Sequence, residues 1–173
     1  IIENNSPDKH ETEKECRKYK NKINLYFINS DNAGFGKSCN AGARKSESSF
    51  ILFLNPDTEL QKDSLKILLQ HMKKNEADII GGKTINYEDK PHGSVVRFPT
   101  LFIGLFEFSN LGKLFNINSA HKIFYYEDQK ILESKSDKPV DVVGGAYLLI
   151  TRKDFIELDG FDENIFMYLE DVD

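Results

Sequence analysis

The chain has 173 residues, 28 of them acidic and 23 basic, with a net charge of −5. This acidic balance argues against a general nucleic-acid groove, because such a groove needs clustered cations that displace phosphate counterions. Two cysteines are too few for a secreted disulfide framework and indicate reduced thiols in a cytosolic compartment. The four histidines are scattered, without metal-ligand spacing.

The hydrophobic pattern predicts alternating strands and helices, which favours a parallel sheet with right-handed crossovers in one domain. The predicted elements are a strand remnant at 1–2, a helix at 11–20, a strand at 23–28, a helix at 37–45, a strand at 50–54, a helix at 65–72 and a strand at 79–80. After them come a hairpin over 84–97, an irregular connection at 98–137, strands at 140–143 and 146–150, and a helix at 154–158.

The apolar run 50–54 has no alternation, which predicts a central parallel strand buried on both faces. Pro56 ends this strand, because proline cannot donate a hydrogen bond to a sheet. Asp57 is therefore expected just past the carboxyl end of a strand, where open α/β sheets bind ligands, and its carboxylate can hold Mg²⁺ or Mn²⁺ that also touches phosphates. The alternative is that Asp57, like Thr58 or Asp63, caps the helix that follows.

A glycine-containing segment, 29–42, follows the second predicted strand. Gly34 and Gly36 lack a Cβ and permit close approach of the backbone to a ligand. The helix opening near Lys37 would point its first N–H groups toward an anion such as a diphosphate. The phosphate-loop pattern is not met, because its first glycine would fall at Asp31. The alternative is a glycine-rich turn that only leads into a helix.

A second acidic site lies at the end of the chain, where Glu170 and Asp171 follow the aromatic and apolar run 166–169. A carboxylate in a partly desolvated cleft has a raised pKa and can accept a proton near neutral pH. The alternative is a solvated helix start, since acidic residues favour the first turn of a helix.

Four motifs along the chain match, in order, those of one enzyme family. They are Glu3–Asp8, Asn32–Gly36 with Asn40–Gly42, Leu54–Thr58, and Gly160–Glu163 followed by Phe166–Asp171. On these motifs the chain resembles the family 2 inverting glycosyltransferases of the GT-A fold, especially their rhamnosyltransferase-like branch. Glu3 stands where that family usually has aspartate.

The resemblance implies an α/β fold of GT-A, Rossmann-like type, with a mostly parallel central sheet flanked by helices. Family members have a strand before the first motif and continue beyond the last. The chain is therefore expected to be an internal fragment that lacks the first strand. Residues 1–97 would be the nucleotide-sugar-binding half and residues 98–173 the acceptor-side half, within one domain.

The implied reaction moves a sugar, with inversion, from a nucleoside-diphosphate sugar to an acceptor hydroxyl. Asp171 would be the general base, Glu170 would orient the site or contact the acceptor, and Asp57 would hold the divalent cation, Mg²⁺ or Mn²⁺. The implied donor-binding residues are Glu3, Asn5, Asp8, Asn32, Gly34, Asn40, Asn55, Gly144 and Gly145. The two adjacent glycines would leave room for the donor sugar; the alternative for them is a β-bulge.

The expected partners are a dTDP-, UDP- or GDP-linked sugar and a glycan or lipid-linked acceptor in cell-surface polysaccharide synthesis, with no nucleic acid. We expect a cytoplasmic protein, at the inner face of the cell membrane. The apolar segment 101–108 is expected to pack in the core, since it lacks a basic face; the alternatives are a cover over the acceptor cleft or peripheral membrane contact. Two other function classes stay open: a non-catalytic nucleotide- or sugar-binding fragment, and a P-loop-like NTPase that grips phosphate through Lys37.

Overall fold

The computed structural model describes residues 2–5, 7–22, 28–29, 32–109, 111–115, 118–127 and 130–173. They belong to two compact units, one drawn from 1–51, 152–171 and 173, the other from 52–151 and 172. The predicted division after residue 97 does not coincide with this one, because the C-terminal segment is bonded to residues of the first 51. The roles assigned to the two predicted halves stay predictions.

The first unit begins with a parallel pair of short strands. Strand β1 (Ile2–Glu3) lies beside β2 (Ile28–Asn29), with Ile2 opposite Ile28. Helix α1 (Lys9–Arg17) lies between them in the chain, and helix α2 (Phe35–Lys45) follows. Both helices begin two residues earlier than predicted. The predicted strand at 23–28 falls mostly outside the described residues.

The second unit contains most of the remaining strands and helices. In chain order its elements are β3 (Phe50–Leu54, entering from the first unit), α3 (Ser64–Lys74), β4 (Ile79–Gly81), β5 (Thr84–Ile85), β6 (Pro91–His92), β7 (Val95–Val96), α4 (Leu101–Phe106), α5 (Leu111–Leu114), α6 (Ser119–Phe124), a 3₁₀ helix (Ile131–Glu133), β8 (Val142–Val143) and β9 (Tyr147–Thr151).

The central strand of this unit is β9, not β3 as predicted. The described residues form a sheet in the order β3-β9-β4, and residues 147–150 of β9 are all buried. Burial along β3 alternates instead, with Ile51 and Phe53 buried and Leu54 exposed. The prediction of a strand covered on both faces was therefore wrong for β3, because only one of its faces is fully covered.

The strand pairings are less parallel than the sequence predicted. Among pairings whose register the described residues define, β1–β2 is parallel, whereas β4–β9, β5–β6 and β7–β8 are antiparallel. The predicted hairpin is present as β5 and β6, and the Asn86 N–H donates to the Lys90 carbonyl at 2.9 Å across its turn. Strand β7 leaves the hairpin and pairs with β8.

The connection at 98–137 is more regular than predicted, since it contains α4, α5, α6 and the 3₁₀ helix. The Thr100 hydroxyl caps α4 by accepting the Ile103 N–H at 3.3 Å. Ile103 is only 1% exposed, but Leu101, Phe102, Leu105 and Phe108 are exposed. The expectation that segment 101–108 packs in the core is therefore wrong for most of its large side chains. No helix among the described residues is long and apolar enough to cross a bilayer.

After β9 the chain returns to the first unit as helix α7 (Arg152–Glu157). The Arg152 N–H donates to the Ser49 carbonyl at 2.9 Å, and the Arg152 Nε donates to the Ser46 carbonyl at 2.8 Å. Phe155 is buried, and its ring lies 5.5 Å from that of Phe161 in an edge-to-face arrangement. Helix α7 thus fixes the start of the segment that carries the terminal acidic motif.

Candidate active site

Residues 160–171, which we call the closing segment, fold against helix α2. The Phe35 N–H at the start of α2 donates to the Phe166 carbonyl at 3.1 Å. Gly34 precedes the helix with φ of 88°, and a Cβ there would lie 2.2 Å from that same oxygen. A Cβ on Gly36 would lie 3.0 Å from the Phe161 Cβ. These glycines make room for the closing segment, and their predicted approach to a ligand stays a prediction.

Asn40 lies one turn further along α2 and is 2% exposed. Its Nδ2 donates to the Phe161 carbonyl at 2.8 Å, and its Oδ1 accepts the Phe161 N–H at 2.9 Å. Gly160 has φ of 78°, and a Cβ there would lie 2.5 Å from the Asn40 Oδ1. The amide of Asn40 is thus bonded to the protein backbone, and its predicted contact with the donor stays a prediction.

An exposed ion pair lies beside this buried amide. The Arg44 Nη2 and Glu163 Oε1 are 2.5 Å apart, and the Asn40 Nδ2 is 3.3 Å from the same carboxylate oxygen. These hydrogen bonds, the one from Arg44 above all, hold the pKa of Glu163 below its usual value. The Glu163 carboxylate therefore remains charged and adds a third link between α2 and the closing segment.

The side chain of Glu170 lies against the same face of α2. The Glu170 Cβ is 3.7 Å from the position that a Cβ on Gly36 would take. Its Oε2 is buried and has no hydrogen-bond partner among the described residues. Cys39, three residues along the helix from Gly36, has a pKa raised to about 12 by burial and, secondly, by the negative charge of Glu170. The half-buried Asp171 follows directly.

The backbone before this acidic pair is strained. Tyr168 and Leu169 have φ of 69° and 67°, values that bulky L-residues rarely adopt. The side chains of residues 166–169 are all exposed. Strained backbone of this kind persists only where surrounding contacts hold it, and it clusters at functional sites. Other non-glycine residues, such as Tyr126 and Lys130, also have positive φ, so the strain by itself does not assign a function to this segment.

Asn4, which the sequence analysis did not select, organises the loop before α2. Its Oδ1 accepts the Ala33 N–H at 2.9 Å, and its Nδ2 donates to the Asn32 Oδ1 at 3.2 Å and to the Gly34 carbonyl at 3.4 Å. The Asn32 Oδ1 also accepts the Gly34 N–H at 3.3 Å. Asn4 lies inside the first family motif, and this position was the only sequence signal for it.

The other predicted residues of the first motif are less tightly held. Asn5 is exposed and has φ of 66°. Asp8 is the exposed residue that precedes α1, and its side chain makes no capping hydrogen bond. Glu3 ends β1 opposite Asn29. The motif thus leads away from the end of a parallel strand, as a ligand-binding loop of an α/β sheet would.

In the second unit, Asp57 lies in a turn at the end of β3. The Asn55 N–H donates to the Ala146 carbonyl at 3.1 Å. The Asn55 carbonyl accepts the Thr58 N–H, also at 3.1 Å. Asp57 is exposed, and α3 begins only at residue 64, preceded by Asp63, whose side chain makes no capping bond. The alternative that Asp57 caps this helix is therefore wrong.

The described residues contain no cluster of three histidine, cysteine or acidic side chains that could hold a metal ion. Asp57 is one exposed carboxylate at a strand end. Mg²⁺ usually keeps several waters and binds through one or two carboxylates together with substrate phosphates. A single carboxylate of this kind fits a cation that arrives with a diphosphate, and it does not fit a metal held by the protein alone.

Gly144 and Gly145 lie where β8 gives way to β9. The Gly144 N–H donates to the carbonyl of the buried Ser94 at 2.9 Å, and Gly145 is buried. Because β8 pairs with β7 whereas β9 pairs with β4, the two glycines separate strands with different partners and do not bulge one strand. Their contact with a donor sugar stays a prediction.

Comparisons with known proteins agree with this architecture. A family model described as Glycosyl transferase family 2 matches residues 1–128. The chain is 30% identical over 170 residues to the rhamnosyltransferase WbbL of Escherichia coli K12, covering 91% of this chain and 58% of that protein. It is 30% identical over 125 residues to the N-acetylglucosaminyl-diphospho-decaprenol L-rhamnosyltransferase of Mycobacterium tuberculosis, covering 72% of this chain and 39% of that protein. The crystal structure of S. aureus TarS 1-349 superposes with a TM-score of 0.58 at 18% identity, covering 99% of this chain and 43% of that one.

The fold and its motifs define a glycosyltransferase domain of the α/β, GT-A type, and the predicted fold class is confirmed. The chain belongs to glycosyl transferase family 2, and it is similar to rhamnosyltransferases. It spans 58% and 39% of the length of the two rhamnosyltransferases described above.

The raised pKa of Cys39 predicts slow alkylation of its thiol. With a pKa of about 12, about one thiol in ten thousand is ionised at pH 8, against about a quarter for a free thiol of pKa ~8.5. We expect iodoacetamide to modify Cys39 at least about a hundredfold more slowly in the folded protein than in urea, measured by mass spectrometry of its peptide. Glu170→Gln removes the neighbouring charge and should lower this pKa and speed the reaction, whereas Glu157→Gln on α7 should not.

Alkylation of folded Cys39 at the rate of a free thiol would contradict the packing of the closing segment against α2. The same shift stabilises the folded state at low and neutral pH. That contribution is complete below the unfolded thiol's pKa of ~8.5 and is lost as the pH rises toward about 12.

Proposed function

We propose that the protein transfers a sugar, with inversion, from a nucleoside-diphosphate sugar to an acceptor hydroxyl. The observation that carries the proposal is the acidic pair Glu170-Asp171, with one Glu170 oxygen buried and lacking a hydrogen-bond partner among the described residues. A carboxylate in this state can accept a hydrogen bond from an acceptor hydroxyl. The family to which the chain belongs transfers glycosyl groups, which is what supports this use of the pair.

In the proposed reaction Asp171 takes the proton of the acceptor hydroxyl while the hydroxyl oxygen attacks the anomeric carbon. The new bond forms on the face opposite the diphosphate, and the bond from the anomeric carbon to the diphosphate oxygen breaks. The nucleoside diphosphate leaves with the bonding electrons, so the configuration at the anomeric carbon inverts. Glu170 orients the acceptor hydroxyl toward the carbon that it attacks.

Charge develops on the departing diphosphate in this step. A divalent cation, Mg²⁺ or Mn²⁺, stabilises that charge when bound. Asp57 would hold it at the end of β3, where its carboxylate is exposed and does not cap α3. Asn32 and the backbone at Gly34, which Asn4 holds in place, would contact the donor together with Glu3, Asn5 and Asp8.

The relatives' names suggest the substrates. WbbL is named a rhamnosyltransferase, and the name of the Mycobacterium protein gives it a decaprenol diphosphate-linked sugar as acceptor. On the basis of these names we propose that the donor of the present chain is a dTDP-linked deoxysugar, with UDP- and GDP-sugars as alternatives. The acceptor would be a glycan or a lipid-linked sugar in polysaccharide synthesis.

An acceptor on a lipid would bring the protein to the inner face of the cell membrane. The exposed side chains of α4 and α5 support this extension, since Leu101 is 81% exposed and Leu114 is 74% exposed. A groove of about 630 Å³ in the same unit is lined by Leu105, Ser109, Leu111, Lys113 and Leu114. An apolar surface with a lysine at its edge suits the interface of a membrane that contains anionic lipid.

Asp171→Asn should abolish most transfer without weakening donor binding. Loss of a positioned base typically lowers kcat by about a hundred- to ten-thousandfold. The measurement is a nucleoside diphosphate release assay, with donor affinity followed by calorimetry. Asp173→Asn, two residues on and exposed, is the matched control and should retain the wild-type rate. A wild-type rate in Asp171→Asn would contradict the role of Asp171 as general base.

Asp57→Ala should eliminate metal-dependent binding of the donor diphosphate, because the cation would lose its protein ligand. Calorimetric titrations with UDP, dTDP and GDP, each with and without Mn²⁺, measure this and identify the preferred base. Glu59→Ala, an exposed carboxylate in the same loop, is the control and should bind like the wild type. Equal binding with and without Mn²⁺ would contradict the cation's role. Binding by wild type without any turnover would favour a non-catalytic module.

Leu101→Ser with Leu114→Ser should weaken binding to vesicles that contain anionic lipid. Each fully buried leucine contributes about 1.5 kcal/mol or more, so partial burial of two predicts at least a tenfold loss of partitioning. Cosedimentation measures it. The control is Ile156→Ser with Leu158→Ser, which alters two exposed apolar side chains elsewhere. Equal losses in both double variants, or no vesicle binding by wild type, would contradict this contact.

A further inference from the structure

We infer that Asn40 is a positioning residue for the transfer reaction: it fixes the closing segment, and hence Glu170 and Asp171, without touching substrate. The inference rests on the proposed function. Its basis is the pair of hydrogen bonds, at 2.8 and 2.9 Å, by which one buried side-chain amide satisfies both backbone groups of Phe161. A buried backbone group left unpaired is costly, so this pairing holds the segment in one place.

The turn at Phe161 is built around this amide. At Gly160 a Cβ would lie 2.5 Å from the Asn40 Oδ1, so a larger residue would displace the amide. The Phe161 ring lies 6.2 Å from that of Phe35 on α2 and 5.5 Å from that of Phe155 on α7. The backbone and the ring of Phe161 are therefore both held in place. Asn40 supplies the hydrogen bonds, which fix direction, whereas the ring contacts do not.

A second anchor lies five residues further on, where the Phe166 carbonyl accepts the Phe35 N–H. The chain then passes through the two strained residues, Tyr168 and Leu169, and reaches the acidic pair. Two fixed points on one helix thus precede the carboxylates. Because small displacements of reacting groups lower catalytic rates by about a hundredfold, release of the first anchor should act on kcat.

The test variant is Asn40→Asp, which keeps the side-chain shape but removes the donor to the Phe161 carbonyl. It also places a second carboxylate near Glu163, whose Oε1 lies 3.3 Å from the Asn40 Nδ2. We expect kcat to fall roughly ten- to a hundredfold with the KM for donor unchanged. Asn40→Asp keeps an oxygen that can accept the Phe161 N–H, so hydrogen exchange is measured in Asn40→Leu, which removes both bonds. Amide hydrogen exchange at Phe161 should become faster in that variant.

Adding Glu163→Gln to Asn40→Asp should recover part of kcat. The added change removes the repulsion between the two carboxylates at positions 40 and 163, and it supplies an amide that can donate to the carboxylate at position 40. Gly160→Ala acts on the same contact from the other side and should lower kcat even if Asn40→Asp does not fold. Arg44→Ala is the matched control, because it breaks the exposed ion pair to Glu163 and leaves both bonds to Phe161 intact. It should stay within about twofold of the wild-type rate, a surface ion pair being weak.

A wild-type kcat in folded Asn40→Asp and in Gly160→Ala would overturn the inference. So would a raised KM for donor with kcat unchanged, which would assign Asn40 a direct donor contact. If wild type transfers no sugar, the proposed function fails. Hydrogen exchange at Phe161 in Asn40→Leu still decides whether Asn40 holds the segment, because that measurement needs no activity.

Discussion

The first unit depends on the contact between helix α2 and the closing segment. It combines three kinds of interaction: the buried amide of Asn40 on the Phe161 backbone, the steric clearance at Gly34 and Gly36, and the ion pair of Arg44 with Glu163. The hydrogen bonds give direction, the glycines set the distance, and the ion pair adds little energy because it is exposed. With this contact in place, Glu170 lies against α2 with one carboxylate oxygen buried.

The same contact changes the meaning of the glycine-rich motif. Before the structure, Gly34 and Gly36 suggested a backbone that admits a diphosphate. In the folded chain the Phe166 carbonyl takes up the Phe35 N–H, and the Phe161 side chain approaches Gly36. The motif therefore packs the closing segment against α2, and its contact with a donor diphosphate stays a prediction.

Sequence reasoning worked where the signal was local. Pro56 marked the end of β3, and the regular spacing of Leu68 and Met72 located α3. It failed for α4 to α6, whose six residues or fewer gave too few turns for a period, although it found the equally short α7. It also failed where partners are distant: nothing in the sequence near Asn40 indicates that its amide binds the backbone 121 residues further along. The choice of β9 over β3 as central strand likewise depends on tertiary pairing.

This topology determines when, during synthesis of the chain, the contacts of the first unit can form. Asn40 and its partner Phe161 are 121 residues apart, and the Ser49 carbonyl accepts the Arg152 N–H only after the chain has passed through the second unit. At ~5–20 residues per second, a ribosome needs roughly 6 to 25 seconds between the two ends of the first contact. Until then the α2 face lacks its cover, while the second unit can already fold. The first unit is thus completed only after the second unit has been synthesised. In that interval helix α2 of the nascent chain is open to chaperones and proteases.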